Sequence, residues 1–202
     1  MKKLLLITAL LCVLCSCEEK ALTGTHEGHE WVDLGLPSGL KWATCNVGAS
    51  LPEDYGNYYA WGETNTKTEY TKDNSVSRRK SWGDIATSSD RDAARANWGG
   101  SWRMPTEAEF QELRETCTWT WITRNGNQGY KVTGPNGKSI FLPAAGFRND
   151  VKLRRADEYG CYWSSSPHTS KVSARYLYFH KRAKRVNSYH RYHGFSVRPV
   201  LD

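Results

Sequence analysis

Four of the six histidines fall between residues 168 and 193, where they are the groups most able to do chemistry. Imidazole titrates near neutral pH and binds metal ions readily, so a histidine group can serve acid–base catalysis or hold a metal. The closest spacing is in residues 190–193 (HRYH), where Arg191 places a cation beside the would-be ligands. A neighbouring cation disfavours metal binding. We therefore predict neither a metal site nor another cofactor.

Motifs of the common enzyme classes are absent from the sequence. There is no Gly-x-Ser-x-Gly elbow, no phosphate-binding Gly-x-x-x-x-Gly-Lys loop and no His-Glu-x-x-His. Residues 26–30 (HEGHE) have one residue where the zinc motif needs two between the glutamate and the second histidine, so the two histidines would not share a helical face. We predict no catalytic residue and a protein that is not an enzyme.

The segment from Ser165 to His193 has the composition of a recognition surface. Tyrosine supplies rigid amphipathic area, serine adaptable hydrogen bonds, and arginine bidentate pairing with carboxylate, sulfate or phosphate. Along residues 174–180, a strand would turn Ala174, Leu177 and Phe179 to the core and Tyr176, Tyr178 and His180 to the opposite face. The candidate ligand-binding residues are His168, Ser170, Arg175, Tyr178, His180, Arg182, Arg185, Tyr189, His190, Tyr192 and His193.

The positive charge of the chain is concentrated in this same region. Residues 147–199 contain twelve Lys and Arg against three Asp and Glu, a net charge of +9, whereas the whole chain nets +7. A basic surface favours acidic partners such as sulfated or uronic glycans, lipid phosphates or nucleic acid, and it is equally compatible with a merely solvated face. The partner we predict is an extracellular anionic glycan or a protein, and not a nucleic acid.

The N-terminal residues resemble a secretory signal. Lys2 and Lys3 precede an apolar stretch, residues 4–14, that is too short to span a bilayer, and LCSC follows at residues 14–17. The spacing resembles a bacterial lipobox, in which Cys17 would be lipidated and become the new N-terminus; ordinary cleavage nearby is the alternative. Glu18 and Glu19 resemble the surface-export signal of Bacteroides-type lipoproteins. We expect export and a lipid anchor in the cell envelope, at the outer membrane and exposed on the cell surface.

The remaining chain has the length of one domain. We predict a signal peptide at residues 1–16, a lipidated Cys17 with a flexible tether at residues 17–30, and a globular domain at residues 31–202. The tether is polar and lacks periodicity. Within the domain, helices are predicted at residues 90–98 and 106–117, and a hairpin joins residues 130–133 to 139–142. Three cysteines remain, which allow at most one disulfide: Cys45, Cys117 and Cys161.

Several motifs together resemble the Fibrobacter succinogenes major paralogous domain family. They span residues 31–200 and occur at 32–43 (VDLGLPSGLKWA), 59–63 (YAWGE), 102–110 (WRMPTEAEF), 141–146 (FLPAAG), 162–166 (YWSSS) and 196–200 (SVRPV). The resemblance implies an α+β class: a single C-type-lectin-like domain of the formylglycine-generating-enzyme type, with two helices, short antiparallel strands and many loops. Trp42, Trp61, Trp102 and Trp163 lie in or beside these motifs and are predicted core residues, whereas Trp82, Trp119 and Trp121 could also stack on sugar rings.

The chemistry of that fold's enzymes and lectins does not carry over to this chain. A formylglycine-generating enzyme uses a close cysteine pair near the end of the chain, and no cysteine follows Cys161. The tripeptides of calcium-dependent lectins are also absent. We therefore predict a non-catalytic, ligand-binding surface lipoprotein. The alternatives are a structural or adhesin-tip subunit of the envelope, an enzyme of the formylglycine-generating type, and a target protein diversified by a retroelement.

Overall fold

The computed structural model of the chain describes residues 21–202. The predicted signal segment and the predicted lipid attachment at Cys17 lie outside the described residues. Two short helices occur in the described range, α1 (Ala93–Trp98) and α2 (Glu107–Thr116). Neither of them has the length and apolar character that a membrane-crossing helix requires.

Short strands make up most of the regular structure within residues 21–202. They pair antiparallel with their neighbours throughout. The strands are β1 (Thr23–His26), β2 (His29–Asp33), β3 (Lys41–Ala43), β4 (Thr118–Arg124), β5 (Asn127–Thr133), β6 (Ser139–Pro143), β7 (Phe147–Asn149), β8 (Lys152–Arg154), β9 (Tyr159–Pro167), β10 (Ser173–His180), β11 (Ala183–His190) and β12 (Val200–Leu201). They form four sheets, with strand orders β1-β2-β3-β12, β4-β5-β6, β7-β8 and β11-β10-β9.

This strand content contradicts the predicted α+β, C-type-lectin-like class. Strands account for 40% of the structure and helices for 9%, so the fold is mostly β, with several small antiparallel sheets. The helices are only six and ten residues long. Residues 23–30 and 147–154, in which no strand was predicted, take part in hairpins instead.

The predicted flexible tether is wrong for its second half, because β1 and β2 form a hairpin there. Their register places His26 opposite His29 across a turn at Glu27 and Gly28, both of which have positive φ. Such two-residue turns match the twist of paired strands. The hairpin is also packed on the domain: the ring of His29 stacks on Trp98 with centroids 3.7 Å apart, and the Ser101 amide donates to His26 Nε2 at 3.0 Å.

The two predicted helices are confirmed, with slightly shorter bounds. Thr106 and Glu109 form the expected capping box, in which each side chain accepts a hydrogen bond from the other residue's amide, and Phe110 of α2 is buried. Asp92 caps α1 by accepting from the amides of Ala94 and Arg95. Both helix starts therefore follow from local sequence signals.

The predicted hairpin around residues 134–137 is also confirmed, as β5 and β6. Its register pairs Tyr130 with Leu142 and Thr133 with Ser139. A Cβ at Gly134 would lie 1.9 Å from the carbonyl oxygen of Leu34, so the turn can pack against that backbone only because residue 134 has no side chain.

Two large apolar clusters form most of the core, and a small third cluster joins Tyr58, Ala60 and Tyr70. The first joins α2 to β5, β6 and the inner side of β10, and the second joins α1 to β9, β10 and the residues after β11. Trp119 and Trp121 are half-buried against the first cluster and Trp82 against the second. The predicted core role of four tryptophans is confirmed, since each is fully buried: Trp42, Trp61, Trp102 and Trp163.

Candidate functional site: a tyrosine-lined pocket

The sheet β9-β10-β11 carries most of the predicted recognition residues and has two different faces. Leu177 and Phe179 of β10 belong to the first core cluster. Side chains alternate along a strand, so Tyr176 and Tyr178 lie on the other face, as predicted. Ala174 is an odd number of residues from Leu177 and packs with Tyr176 in the second cluster. Its predicted placement beside Leu177 and Phe179 is therefore wrong.

A pocket of about 310 Å³ opens on the Tyr176 face of this sheet. Its residues come from β7, from all three strands of the sheet and from the segment after β11. We call it the tyrosine pocket. It is lined by Phe147, Tyr159, Cys161, Tyr176, Tyr178, Arg185, Asn187, Tyr189 and Phe195.

The aromatic rings of the pocket hold one another in place. Tyr159 and Tyr178 meet edge to face with centroids 5.3 Å apart, and Tyr176 lies 6.2 Å from Tyr178 and 5.9 Å from Tyr189. Phe147 meets Tyr189 edge to face at 6.4 Å. Edge-to-face packing is a favourable aromatic arrangement. The lining is consequently a rigid set of rings.

Polar groups without protein partners face this aromatic lining. Arg185 lies directly opposite Tyr178 in the β10–β11 register, is exposed, and forms no ion pair with any described residue. The hydroxyls of Tyr176 and Tyr189 make no hydrogen bond within residues 21–202. Asn187 Oδ1 accepts from the Ser188 amide, which leaves the Asn187 amide group available. These donors and the arginine charge are thus available to a ligand.

Burial disfavours the charged forms of three titratable groups in and beside the pocket. Burial raises the pKa of the Cys161 thiol, so it remains a thiol rather than a nucleophilic thiolate. Burial, together with a hydrogen bond from its own hydroxyl to Tyr159, raises the pKa of Tyr178 to about 12. Burial lowers the pKa of His193, whose ring lies 4.6 Å from that of Tyr189, to about 4.

The structure brings three of the predicted site residues into the tyrosine pocket: Tyr178, Arg185 and Tyr189. His180 and Arg182 line a neighbouring pocket of about 300 Å³. The two pockets share Tyr159, whose ring contacts both Tyr178 and His180.

Three more predicted residues form a stack at the far end of β11. The rings of His190 and Tyr192 are stacked with centroids 5.6 Å apart, and those of Tyr192 and His193 are 4.2 Å apart. His193 is buried, and its Nδ1 lies 3.3 Å from the carbonyl oxygen of His190. The stack supports one side of the pocket through the contact between His193 and Tyr189.

The last three predicted residues lie away from the pocket. His168 and Ser170 are in the loop between β9 and β10, where the Ser170 amide donates to His168 Nδ1 at 3.1 Å. Arg175 is an odd number of residues from Tyr176 and so points to the opposite face, where its Nε lies 3.2 Å from Glu107 of α2. The structure therefore does not support these residues as parts of one site with Tyr178.

Several pocket residues were missed by the sequence analysis. Tyr159 lies opposite His180 in the β9–β10 register, and Asn187 lies opposite Tyr176 in the β10–β11 register. Two-residue alternation in β11 would have placed Asn187 with Arg185 and Tyr189. Phe147 and Phe195 lie outside the segment considered, and no local pattern points to them.

Three other depressions are larger but less specific. One, of about 830 Å³, is a wide, shallow groove along α2. The other two measure about 490 and 530 Å³ and meet at Glu30, Thr44 and Pro52. The smaller of these two brings Glu30 together with Arg124 and Lys131, so its charges are mixed. The tyrosine pocket instead combines four phenol rings with one unpaired cation, and we take it as the candidate site.

The described residues form no site suited to thiol or metal chemistry. Cys45, Cys117 and Cys161 are all free. Within residues 21–202, no three His, Cys, Asp or Glu side chains are grouped so that they could hold a metal ion.

Comparison of the chain with protein-family models, with curated proteins and with solved structures gives no match. The resemblance to the Fibrobacter succinogenes major paralogous domain therefore stays a prediction, and the site is interpreted from its own geometry.

Proposed function

We propose that this chain is a binding protein that takes an anionic sugar into the tyrosine pocket. The observation that carries the proposal is the unpaired Arg185 at a cluster of four tyrosine rings. Tyrosine faces suit the apolar face of a pyranose ring, and arginine pairs bidentately with carboxylate or sulfate. The free hydroxyls of Tyr176 and Tyr189 provide hydrogen bonds for sugar hydroxyls.

Charge and rigidity both favour this class of ligand. Residues 147–199, which supply every residue of the pocket lining, carry a net charge of +9, and a positive field draws anions toward the site. The interlocked rings are already ordered before a ligand arrives, so binding need not order them.

The same geometry supports binding in preference to catalysis. Burial keeps the Cys161 thiol protonated, so it is not a nucleophile at neutral pH. The imidazole of His193 is buried and is not among the residues that line the pocket. We therefore propose a non-catalytic role for the pocket.

The test is binding of the fragment 21–202, which contains both large core clusters and every strand and helix described above, to a glycan array with sulfated and uronic polysaccharides. We expect binding that weakens as salt is raised. Hydrogen bonds to a charged group contribute about 1.5–3 kcal/mol, so Arg185→Ala should weaken binding by about 10- to 100-fold.

The matched control is Arg154→Ala, which removes one exposed positive charge from β8, outside the pocket lining. It should bind like the parent fragment. Equal losses in both variants would mean that only net charge attracts the glycan, and would contradict the proposed site. If the folded fragment binds no glycan, the structural or adhesin-tip alternative becomes the better hypothesis.

We also propose that the protein is exported and anchored by lipid on Cys17, at the outer membrane. The support is the residue pattern at 2–17 alone. Expression with radiolabelled palmitate should label the chain, and Cys17→Ala should abolish the label. Label that persists in that variant would contradict the proposed anchor.

A further inference from the structure

The neighbouring pocket beside Tyr159 extends the candidate site beyond a single sugar. This second pocket contains the half-buried Trp121 with Gln128, Tyr159 and His180. Trp121 is held by edge-to-face contact with Tyr130 at 5.0 Å and by the hydrogen bond from its Nε1 to Gln128 at 3.0 Å. An indole held in this way is a stacking platform for a ring.

The second pocket has more unpaired cations than unpaired carboxylates. Asp157 accepts a hydrogen bond from the backbone amide of Gln128 at 3.0 Å, a neutral donor that does not compensate its charge, and Glu158 pairs with Arg155 at 2.9 Å. Lys181 and Arg182 are exposed and form no ion pair with a described residue. Two unpaired cations therefore outnumber the one uncompensated carboxylate, and the net charge that the pocket offers to a ligand is positive, as in the tyrosine pocket.

The two pockets are adjacent along one strand. Tyr178 lines the first and His180 the second; two residues of a strand span about 7 Å. The ring of Tyr159, which lines both pockets, lies 5.3 Å from Tyr178 and 5.9 Å from His180. A ligand that leaves the tyrosine pocket past Tyr159 therefore enters a second pocket with an aromatic surface and unpaired cations.

We infer that the ligand is a linear acidic oligosaccharide whose consecutive sugars occupy the two pockets, one at Arg185 and the next at Lys181 and Arg182. This inference rests on the proposed function and names its ligand class. Contacts to a second linked sugar add to the binding energy without a second cost of association, so affinity should rise with chain length.

The test is a length series: galacturonate from monomer to hexamer, and heparin fragments from disaccharide to octasaccharide, titrated into the fragment 21–202 by calorimetry and, for the shortest, by ligand-observed NMR. We expect affinity to rise at least tenfold from galacturonate monomer to trimer and then to level off. In Lys181→Ala/Arg182→Ala, monomer affinity should be unchanged and the rise with length should be lost.

The control variant is Lys152→Ala/Arg154→Ala, which removes two exposed charges from β8 and should keep the dependence on length. If monomer and trimer bind the parent equally well, and Arg185→Ala weakens both, the proposed function stands and the two-pocket inference is wrong. If neither series binds at any length, both are wrong. A length dependence that survives in Lys181→Ala/Arg182→Ala would also overturn the inference.

Discussion

The guanidinium of Arg191 lies over the indole of Trp61, with Cζ 4.2 Å from the ring centroid. Arg191 Nε donates to the carbonyl oxygen of Ser173 at 2.9 Å, and Nη1 donates to those of Ser77 and Lys80 at 3.2 and 2.9 Å. Only 1% of Arg191 is exposed. A single cation thus joins the end of β11 to the start of β10 and to the segment 77–80.

We expect Arg191→Lys to lower the free energy of unfolding by about 2–4 kcal/mol, since lysine cannot make this planar set of hydrogen bonds and leaves buried carbonyls unsatisfied. Burial lowers the pKa of Arg191 to about 10. The ordinary pKa of lysine is about 2 units below that of arginine, so a lysine at this buried position would lose more of its positive charge. Urea unfolding measures the change.

The control for this substitution is Arg182→Lys, at an exposed residue, which should change stability by less than about 0.5 kcal/mol. If Arg191→Lys were as stable as the parent, the hydrogen bonds of the Arg191 guanidinium would not be what holds this segment.

His193 makes stability depend on pH. Its folded pKa, about 4, lies below the ordinary value of 6.5 because burial penalises the imidazolium. As the pH falls from 6.5 to 4, the unfolded chain gains a proton that the folded chain does not, so stability is lost. From pH 8 to pH 5 we expect a loss of about 2 kcal/mol from this residue, at about 1.4 kcal/mol per unit.

The contribution of His193 is isolated by urea unfolding of the parent and of His193→Phe at both pH values. The variant keeps an aromatic ring and cannot titrate, so its stability should fall by about 2 kcal/mol less than that of the parent. An identical fall in the two proteins would assign the pH dependence to other groups.

Local elements of the fold could be predicted from the sequence, and the reason is visible in Thr106 and Glu109. Their capping box is made within four residues and needs no distant partner. The hairpin β5–β6 is likewise set by residues that adjoin its turn. The fold class could not be predicted in this way, since residues 23–30 and 147–154 show strand structure only once they pair.

The residues of the candidate site also differ in whether they could be predicted from the sequence. Tyr178, Arg185 and Tyr189 come from one hairpin, and the composition of that segment had already made them candidates. Phe147 and Phe195 enter the tyrosine pocket from β7 and from the segment after β11. Tyr159 is placed by the register between β9 and β10. These contributions depend on non-local pairing, for which a single sequence has no signal.

The three cysteines should differ in reactivity with iodoacetamide. The thiolate is the reactive species; burial raises the pKa of Cys117 to about 11 and that of Cys161 still further. Cys45 is half-buried in a loop. Peptide mass spectrometry should find Cys45 alkylated first in the native fragment, and all three cysteines alkylated in urea. Labelling of native Cys161 as fast as Cys45 would contradict this expectation and show that the tyrosine pocket opens enough to expose the Cys161 thiol.

Two tyrosine hydroxyls on neighbouring strands are expected to have different roles, one in stability and one in ligand binding. The hydroxyl of Tyr162 donates to the carbonyl oxygen of Pro143 at 2.6 Å in the core, and Tyr162 is fully buried. The hydroxyl of Tyr176 makes no hydrogen bond to a described residue, although only 6% of Tyr176 is exposed. The first hydroxyl therefore has a structural partner, while the second is available to a ligand in the tyrosine pocket.

We expect Tyr162→Phe to lower the free energy of unfolding by about 1–3 kcal/mol, because it leaves the Pro143 carbonyl unsatisfied, with no effect on the affinity for polygalacturonate. Tyr176→Phe should change stability by less than about 0.5 kcal/mol. It should weaken binding by about 2- to 10-fold, as expected for a lost neutral hydrogen bond of about 0.5–1.5 kcal/mol. Urea unfolding and calorimetric titration of the same preparations give both quantities. If Tyr176→Phe lowered stability and left the affinity unchanged, the Tyr176 hydroxyl would not be part of the binding site. Such a result would mean that its hydrogen-bond partner lies inside the protein.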